Sequence, residues 1–286
     1  MITTPKVTAD SPALVTRRRL LQILTLLAAL STAAVPLAMA RDGVEVGGNS
    51  AFSRLVPADT IERSGQLQYA QIMREAADKH LLRASGHPDL RRLRAIAANI
   101  TPFTGDWNPR ANDWKWEINL IDSKQINAFC LPGGKIAFYS GILDQLQLTD
   151  DEVAMVMGHE IAHALREHAR ERLGKNAATS IGAGVISQLL GLGDIGQTVT
   201  RYGAQLMTLQ FSRSDESEAD LVGMELAARA GYNPQAGITL WRKMSAASKG
   251  APPQWLSTHP SGQTRIAEME KNLPRVMPIY RRASKR

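Results

Sequence analysis

The segment His159-Glu160-Ile161-Ala162-His163 places ionisable side chains in the middle of a stretch that otherwise has the pattern of a buried helix. Thr149-Asp150-Asp151-Glu152 is a capping box, which predicts that this helix begins at residue 150 and runs to about Leu173, with Gly174 as its end. Apolar side chains spread over most of its circumference, as is typical of a buried helix. They are Val153, Val156, Met157, Ile161 and Leu165. Because buried ionisable groups are costly unless they are paired, this helix needs a partner for its histidines and glutamate.

A metal ion would satisfy that need. Residues four apart on a helix lie one turn above each other, so the imidazoles of His159 and His163 can bind the same ion. Glu160 is rotated by about 100° from His159 and faces the side of the ion where a water molecule would lie. Gly158 lets a second backbone approach the helix closely. The alternative is a helix whose histidines are hydrogen-bonded core residues.

A hydrolytic zinc site needs a third protein ligand and an open fourth position. In the pattern HExxHxxGxxH the third ligand is a later histidine, but Arg166 and Ala169 occupy the corresponding glycine and histidine positions here, so a carboxylate must serve. The candidates lie in residues 214–220. Glu216 and Asp220 are four apart, so one could bind zinc while the other accepts the second N–H of a ligating imidazole. From spacing alone Asp215 and Glu218 stay open, and so does the alternative of a solvated acidic helix start.

Composition excludes other kinds of site. The single cysteine, Cys130, rules out a disulfide framework and a zinc site built from several thiolates, so a metal must be held by histidine and carboxylate. Cys130 itself is interpreted as a small buried hydrophobic residue outside the site. The net charge of +7 is mild and aromatic residues make up only 5%, a balance that predicts no nucleic-acid partner. The basic residues 281–286 are expected to form a solvated tail that makes at most weak contact with a membrane surface.

The N-terminus has the order of a secretory signal peptide. Arg17 to Arg19 precede an apolar run over residues 20–35, and Ala38-Met39-Ala40 forms a cleavage site of the A-x-A type. We therefore expect a signal peptide over residues 1–40 and a periplasmic mature protein. Residues 16–21 also resemble a twin-arginine export signal. The alternative is an uncleaved N-terminal helix that anchors the protein in the membrane.

The rest of the chain reads as a mostly helical domain with a small sheet. Residues 41–58 are rich in Gly, Asn and Ser and predict a flexible linker. Helical periodicity follows over residues 59–83 and again from Pro88 to the stop at Pro102. Short strands are expected within residues 113–121, 125–131 and 135–140. The predicted fold class is α+β, mainly helical, with the sheet beside the helix of residues 150–173.

Four motifs in order resemble a known family. HEIAHALREH, the later ESEAD with LVGMELAARAGYNP, the earlier NAFCLPGGKIAFYSGIL and the final STHPSGQTRI are similar to the zinc endopeptidases related to the CAAX prenyl protease, HtpX and BepA. The similarity covers residues 60–275 and implies a zincin-like metalloprotease domain, taken here as a single domain over residues 59–280. The resemblance implies that His159, His163 and Glu216 bind one zinc ion and that Glu160 is the general base. It also implies that Asp220 does not bind the metal itself but contacts a residue that does.

The resemblance also implies a function. We expect a zinc-dependent endopeptidase of protein quality control that hydrolyses peptide bonds of unfolded or misfolded envelope proteins, using a water molecule activated by zinc and the Glu160 base. The substrate would lie extended as an added strand near residues 127–132. In exported relatives a histidine matching His259 either binds zinc and holds the enzyme inactive or lies near the transition state. The alternative is a histidine that only fixes a turn.

A second function stays open at the level of sequence. The chain could be a chaperone-like module that binds clients and carries a closed, structural or latent zinc site. Residues 177–210 separate the two halves of the metal motif and are interpreted as a lid, an oligomer or membrane contact, or a packed helix. The sequence also allows an oligomer.

Overall fold

The computed structural model describes residues 42–179, 195–247, 253–259 and 263–285. The predicted signal peptide and its cleavage site lie outside these residues, as do residues 180–194 of the segment between the motifs. The described helices and strands confirm the predicted α+β, mainly helical class. In chain order they are α1 Ala58–Asp78, α2 Pro88–Ile100, β1 Glu117–Ile121, β2 Ala128–Leu131, β3 Lys135–Tyr139, α3 Ser140–Leu146, α4 Asp150–Leu165, α5 His168–Thr179, α6 Ile195–Leu206, α7 Arg213–Arg229, α8 Ala236–Ala247, α9 Gln254–Thr258 and α10 Gln263–Ala283.

The three strands form one sheet in the order β1-β3-β2. β1 runs parallel to β3, with Leu120 opposite Phe138, and β2 runs antiparallel to β3, with Phe129 opposite Ala137. Gly133 and Gly134 make the tight β2–β3 turn with positive φ angles of 87° and 76°, which glycine adopts without strain. Because β3 is central, the outer edge of β2 has no strand partner among the described residues.

The sheet separates two apolar cores, because successive side chains of a strand point to opposite faces. Ile136 and Phe138 of β3 face the larger core, which is built with α2, α4, α7, α8 and α10. Ala137 faces the smaller core, which includes residues of α1, α5 and α6. Tyr202 and Leu206 of α6 are buried there, so this part of the segment over residues 177–210 is a packed helix. No described helix is both long and apolar enough to span a bilayer.

Helices α4 and α7 touch through their backbones at two glycines. A Cβ atom added to Gly158 would lie 2.7 Å from the carbonyl oxygen of Gly223, and one added to Gly223 would lie 2.6 Å from the backbone nitrogen of His159. Real Cβ atoms do not approach this closely, so both positions require glycine. The close approach predicted for Gly158 is confirmed, and it places the acidic start of α7 beside the histidines of α4.

Helix α4 begins at Asp150 as predicted, and its capping box is present. It ends at Leu165, however, and not near Leu173. Glu167 adopts a left-handed conformation with φ +58°, which breaks the helix and costs a non-glycine residue roughly 1 kcal/mol. The next helix, α5, runs straight through Gly174, where a side chain would clash with the carbonyl oxygen of Phe52. Gly174 therefore permits a close approach and does not end a helix.

The predicted linker and tail pack against the domain. Val44 and Val56 are buried, and the Val44 N–H donates to the buried Glu225 carboxylate at 2.8 Å. At the other end α10 continues to Ala283, and Arg282 forms an ion pair with Asp42. Buried or helical residues therefore continue past the boundaries predicted at 58/59 and 280/281. The composition of residues 41–58 is typical of a linker, but composition alone does not show that two of its valines are buried.

Candidate metal centre

Four side chains place a ligand atom each around one point in the interior. His159 and His163 come from α4, Glu216 from the first turn of α7, and His259 from the end of α9. The Nε2 atoms of the two α4 histidines are 3.1 Å apart. His259 Nδ1 lies 3.2 Å from His159 Nε2 and 3.1 Å from Glu216 Oε1. All four side chains are buried, none more than 4% exposed.

These distances fit a zinc ion. Ligands about 2.0 to 2.1 Å from a tetrahedral zinc ion are separated from one another by about 3.3 Å. Four of the separations among these atoms, 3.1, 3.1, 3.2 and 3.4 Å, fall close to that value. Imidazole and carboxylate donors in this number are the set that zinc prefers. With His259 in place, the protein supplies all four ligands.

The structure separates the carboxylates that spacing alone left open. Asp215 belongs to the capping box of α7, where it accepts the Ser212 N–H at 2.8 Å. Glu218 points away from the cluster and pairs with Arg166. Glu216 is fully buried among the ligand atoms, and Asp220 lies behind His159.

His159 is held from behind by a carboxylate and an arginine. Its Nδ1 atom lies 3.0 Å from Asp220 Oδ1. Arg265 donates to both oxygens of Asp220, at 2.6 and 2.7 Å, and its Nη1 lies 2.6 Å from Glu216 Oε2. Although burial would raise it, the pKa of Asp220 is held at about 2, mainly by the Arg265 charge. Trp241 covers the guanidinium at 3.8 Å, which screens this pair from water.

The electrostatics keep two ligands in the protonation states that a metal requires. Burial, followed by the nearby His159, lowers the pKa of His163 well below its usual value, so its imidazole stays neutral. Burial would raise the pKa of Glu216, but hydrogen bonding and charge from His259 lower it. The opposite holds for His259, whose pKa is raised by the Glu160 and Glu216 carboxylates despite its burial.

Glu160 lies beside the four ligands and is not one of them. Trp255 Nε1 donates to its Oε1 at 2.6 Å, and His259 Nε2 lies 3.5 Å from the same oxygen. Glu160 lines a cavity together with His163, Phe211 and the chain from Asn127 to Leu131, which includes β2. The strand β2 and the metal centre therefore line one cleft.

Sequence reasoning missed the roles of four buried residues around the centre: Trp241, Trp255, His168 and Arg265. Arg265 belongs to the final motif, but no local pattern shows that it reaches two acidic residues of α7. Trp255 precedes His259 by four residues, so helical spacing could have placed both on one face. Cys130 lines the cleft but is not among the four ligands, and burial raises the pKa of its thiol well above the usual value.

Comparison with known proteins identifies a family model and several relatives that match this chain. Residues 106–273, more than half of the chain, match the model of peptidase family M48. The chain is 34% identical over 222 residues to the mitochondrial metalloendopeptidase OMA1 of Schizosaccharomyces pombe, which covers 77% of this chain and 63% of the relative. It is 39% identical over 150 residues to OMA1 of Arabidopsis thaliana, covering 52% of this chain and 30% of the relative. A third relative is the beta-barrel assembly-enhancing protease of Escherichia coli O157:H7, 30% identical over 175 residues, covering 58% of this chain and 36% of the relative.

The same comparison contradicts the predicted periplasmic location. The two relatives named as mitochondrial are more similar to this chain, at 34% and 39% identity, than the bacterial protease at 30%. A basic N-terminus that is poor in acidic residues does not separate secretory signals from mitochondrial transit peptides. The N-terminal pattern was therefore too general to fix the compartment.

Proposed function

The chain belongs to peptidase family M48, and from that premise we propose that it is a zinc-dependent endopeptidase acting on unfolded or misfolded proteins. The observation that carries the proposal is the buried set of His159, His163 and Glu216 with Glu160 directly beside it. A purely structural metal site has no use for a carboxylate in that position. Because the chain spans only 30% to 63% of the length of the relatives described above, the activity is proposed for this chain on its own residues.

The cleft favours an extended peptide as substrate. The outer edge of β2 lines it, and strand addition at such an edge uses backbone hydrogen bonds that tolerate many side chains. Leu206, Leu209 and Phe211 line the same cleft and give it an apolar wall. Peptides that are unfolded and expose apolar side chains meet both requirements.

The residues around the centre have distinct tasks in hydrolysis. Bound zinc would supply the positive charge that polarises a substrate carbonyl and acidifies a water molecule. Glu160 takes the proton from that water and returns it to the leaving nitrogen. Trp255 orients Glu160 by donating to its Oε1. Asp220 and Arg265 hold the imidazole of His159 and offset the negative charge of Glu216.

We further propose that the centre with His259 in place is a latent form. Four protein ligands leave no position for water, whereas catalytic zinc sites keep one open. His259 directly follows the five-residue helix α9, and its ring stacks on Trp255 with centroids 4.9 Å apart. Rotation of the His259 side chain out of the cluster would open the fourth position, while Trp255 keeps its hydrogen bond to Glu160.

The closed ligand set also favours a second candidate function. A protein whose zinc never loses His259 would be a client-binding module, with the β2 cleft holding unfolded segments without cutting them. Both candidates use the same cleft, so they differ only in whether Glu160 acts on a water molecule.

The two candidates are separated by measuring zinc content and cleavage of unfolded casein. Wild type and His259→Ala are each compared with the same protein carrying Glu160→Gln. For a peptidase, all four bind one zinc ion, His259→Ala cleaves faster than wild type, and Glu160→Gln lowers cleavage by about 10²- to 10⁴-fold. If zinc is bound and His259→Ala cleaves nothing but suppresses aggregation of the casein, the client-binding function is correct.

A further inference from the structure

A fourth histidine lies directly behind the metal centre. His168, the first residue of α5, is only 1% exposed and is not among the four ligand residues. Its Nδ1 lies 2.9 Å from the Nδ1 of His163, on the side of that ring opposite the ligand atom Nε2. Its Nε2 lies 3.5 Å from Oε2 of Glu218, whose other oxygen, Oε1, is paired with Arg166.

The break between α4 and α5 creates this contact. In an uninterrupted helix, residues five apart are separated by about 140° around the axis, so His163 and His168 would face different directions. The left-handed conformation of Glu167 turns the chain back and brings the two rings together, with centroids 4.9 Å apart. Unusual backbone conformations that the surroundings enforce are concentrated at functional sites.

The hydrogen-bond chemistry of the contact fixes a direction. When Nε2 of His163 binds a metal, its Nδ1 carries the hydrogen and must donate. The Nδ1 of His168 faces it and must then be the acceptor, so His168 carries its own hydrogen on Nε2. Glu218 Oε2 lies 3.5 Å from this Nε2, a distance that gives an electrostatic contact and not a regular hydrogen bond. Arg166 also donates to the carbonyl oxygen of Gly47. This contact helps to hold Arg166, and the Glu218 carboxylate paired with it, in place.

We propose that His168 is a positioning residue that fixes the tautomer and orientation of the zinc ligand His163, with Glu218 as its anchor. The proposal rests on the proposed function in one respect, namely that the centre binds zinc. In this arrangement the ring of His168 supports His163 in the way that the Asp220 carboxylate supports His159. Partners of this kind alter metal affinity by about 10- to 100-fold when they are removed.

Two replacements of matched shape test the proposal. In His168→Asn, the side-chain oxygen can take the place of Nδ1 and accept from His163, whereas the similarly shaped leucine of His168→Leu offers no acceptor. Zinc affinity of the full chain is measured by competition with a chelating indicator. The visible absorption spectrum of the cobalt-loaded protein reports the coordination geometry. Thermal unfolding of the metal-free forms controls for a general loss of structure.

We expect His168→Leu to bind zinc about 10- to 100-fold more weakly and to alter the cobalt spectrum, while His168→Asn stays close to wild type. Equal affinity of wild type and His168→Leu, or an equal loss in both variants, would overturn the proposal. Should His168→Leu not fold, Glu218→Gln replaces it, and that variant must weaken zinc binding at unchanged thermal stability. A wild-type protein that binds no zinc would instead refute the proposed function, so the two failures are distinguishable.

Discussion

The two sides of the metal centre are built differently. We call α4 and α7 the helix frame, and residues 253–259 the closing segment. The frame consists of helices of 16 and 17 residues whose backbones touch at Gly158 and Gly223, and it supplies His159, His163 and Glu216. The closing segment contains a helix of five residues and supplies His259 alone.

The support behind the ligands differs in the same way. Of the frame ligands, His159 is backed by Asp220 of α7, and His163 is backed by His168 of α5. His259 is backed by Glu160, at 3.5 Å, and by the ring of Trp255 on its own short helix. A ligand with little support is the one that leaves at the lowest cost in free energy. We therefore propose that the frame is the permanent part of the zinc site and that His259 is its exchangeable ligand.

The largest expected effect is on zinc affinity, and it compares the loss of a frame ligand with the loss of His259. His163→Ala removes a frame ligand and is expected to weaken zinc binding by about 10²- to 10³-fold, because zinc gains roughly 10 to 16 kcal/mol from four ligands together. His259→Ala removes the exchangeable ligand and should weaken it by only about tenfold, since water can take the vacant position. Competition with a chelator measures both. Equal losses in the two variants would end the distinction between frame and closing segment.

The next effect concerns the contact that unites the frame. Gly223→Val forces a side chain into the backbone of α4 and is expected to lower the free energy of unfolding by about 3 kcal/mol. Gly47→Ala is the matched control, because an added Cβ there meets nothing within 4 Å. Its effect should stay within about 0.5 kcal/mol. Urea denaturation of both variants checks this, and a well-tolerated valine would mean that the helices do not need to touch.

A smaller effect is expected at the start of the frame, far from the metal. The buried carboxylate of Glu152 caps α4, accepts the Thr149 N–H at 2.9 Å and pairs with Lys243 at 2.7 Å. Glu152→Gln should lower the free energy of unfolding at pH 7 by about 2 kcal/mol, because charge-assisted hydrogen bonds are lost.

The pH dependence of that effect has a definite sign. Burial alone would raise the pKa of Glu152, but Lys243 and the Thr149 N–H lower it below its usual 4.5. The folded protein therefore releases this proton more readily than the unfolded chain, so the stabilisation is complete above pH 4.5 and is lost as the pH falls through the lowered pKa. Urea denaturation of wild type and Glu152→Gln should converge in acid. A constant difference down to pH 3 (roughly a unit below the usual value of a glutamate) would contradict this role.

The smallest effect is expected in the closing segment. Trp255→Phe keeps an aromatic ring against His259 but removes the N–H that donates to Glu160. One hydrogen bond to a charged group corresponds to about 1.5 kcal/mol. The rate of cleavage in the His259→Ala background should therefore fall by about tenfold. Zinc content should not change. An unaltered rate would mean that Trp255 does not orient the base.

Local patterns predicted the frame well, because its determinants lie close together in the chain. The capping box at Thr149 fixed the start of α4, and the four-residue spacing placed His159 and His163 on one face. Gly158 indicated the close approach. Each of these is a property of a single helix.

The rest depends on contacts between distant parts of the chain. Spacing could not choose Glu216 over Asp215 or Glu218, because the choice depends on how α7 lies against α4. The break at Glu167 has no glycine or proline to indicate it. Arg265 is 45 residues beyond Asp220, to which it binds, and Trp255 meets Glu160 across 95 positions. Only tertiary packing brings these groups together.

We propose that His259 is an exchangeable fourth ligand on a permanent zinc site. Zinc K-edge X-ray absorption of the loaded wild type and His259→Ala tests it most directly, because the fine structure distinguishes imidazole from oxygen donors. We predict three imidazoles and one carboxylate in wild type, and two imidazoles with an additional oxygen donor in the variant. Two imidazoles in both proteins, or three in both, would show that His259 is not an exchangeable zinc ligand.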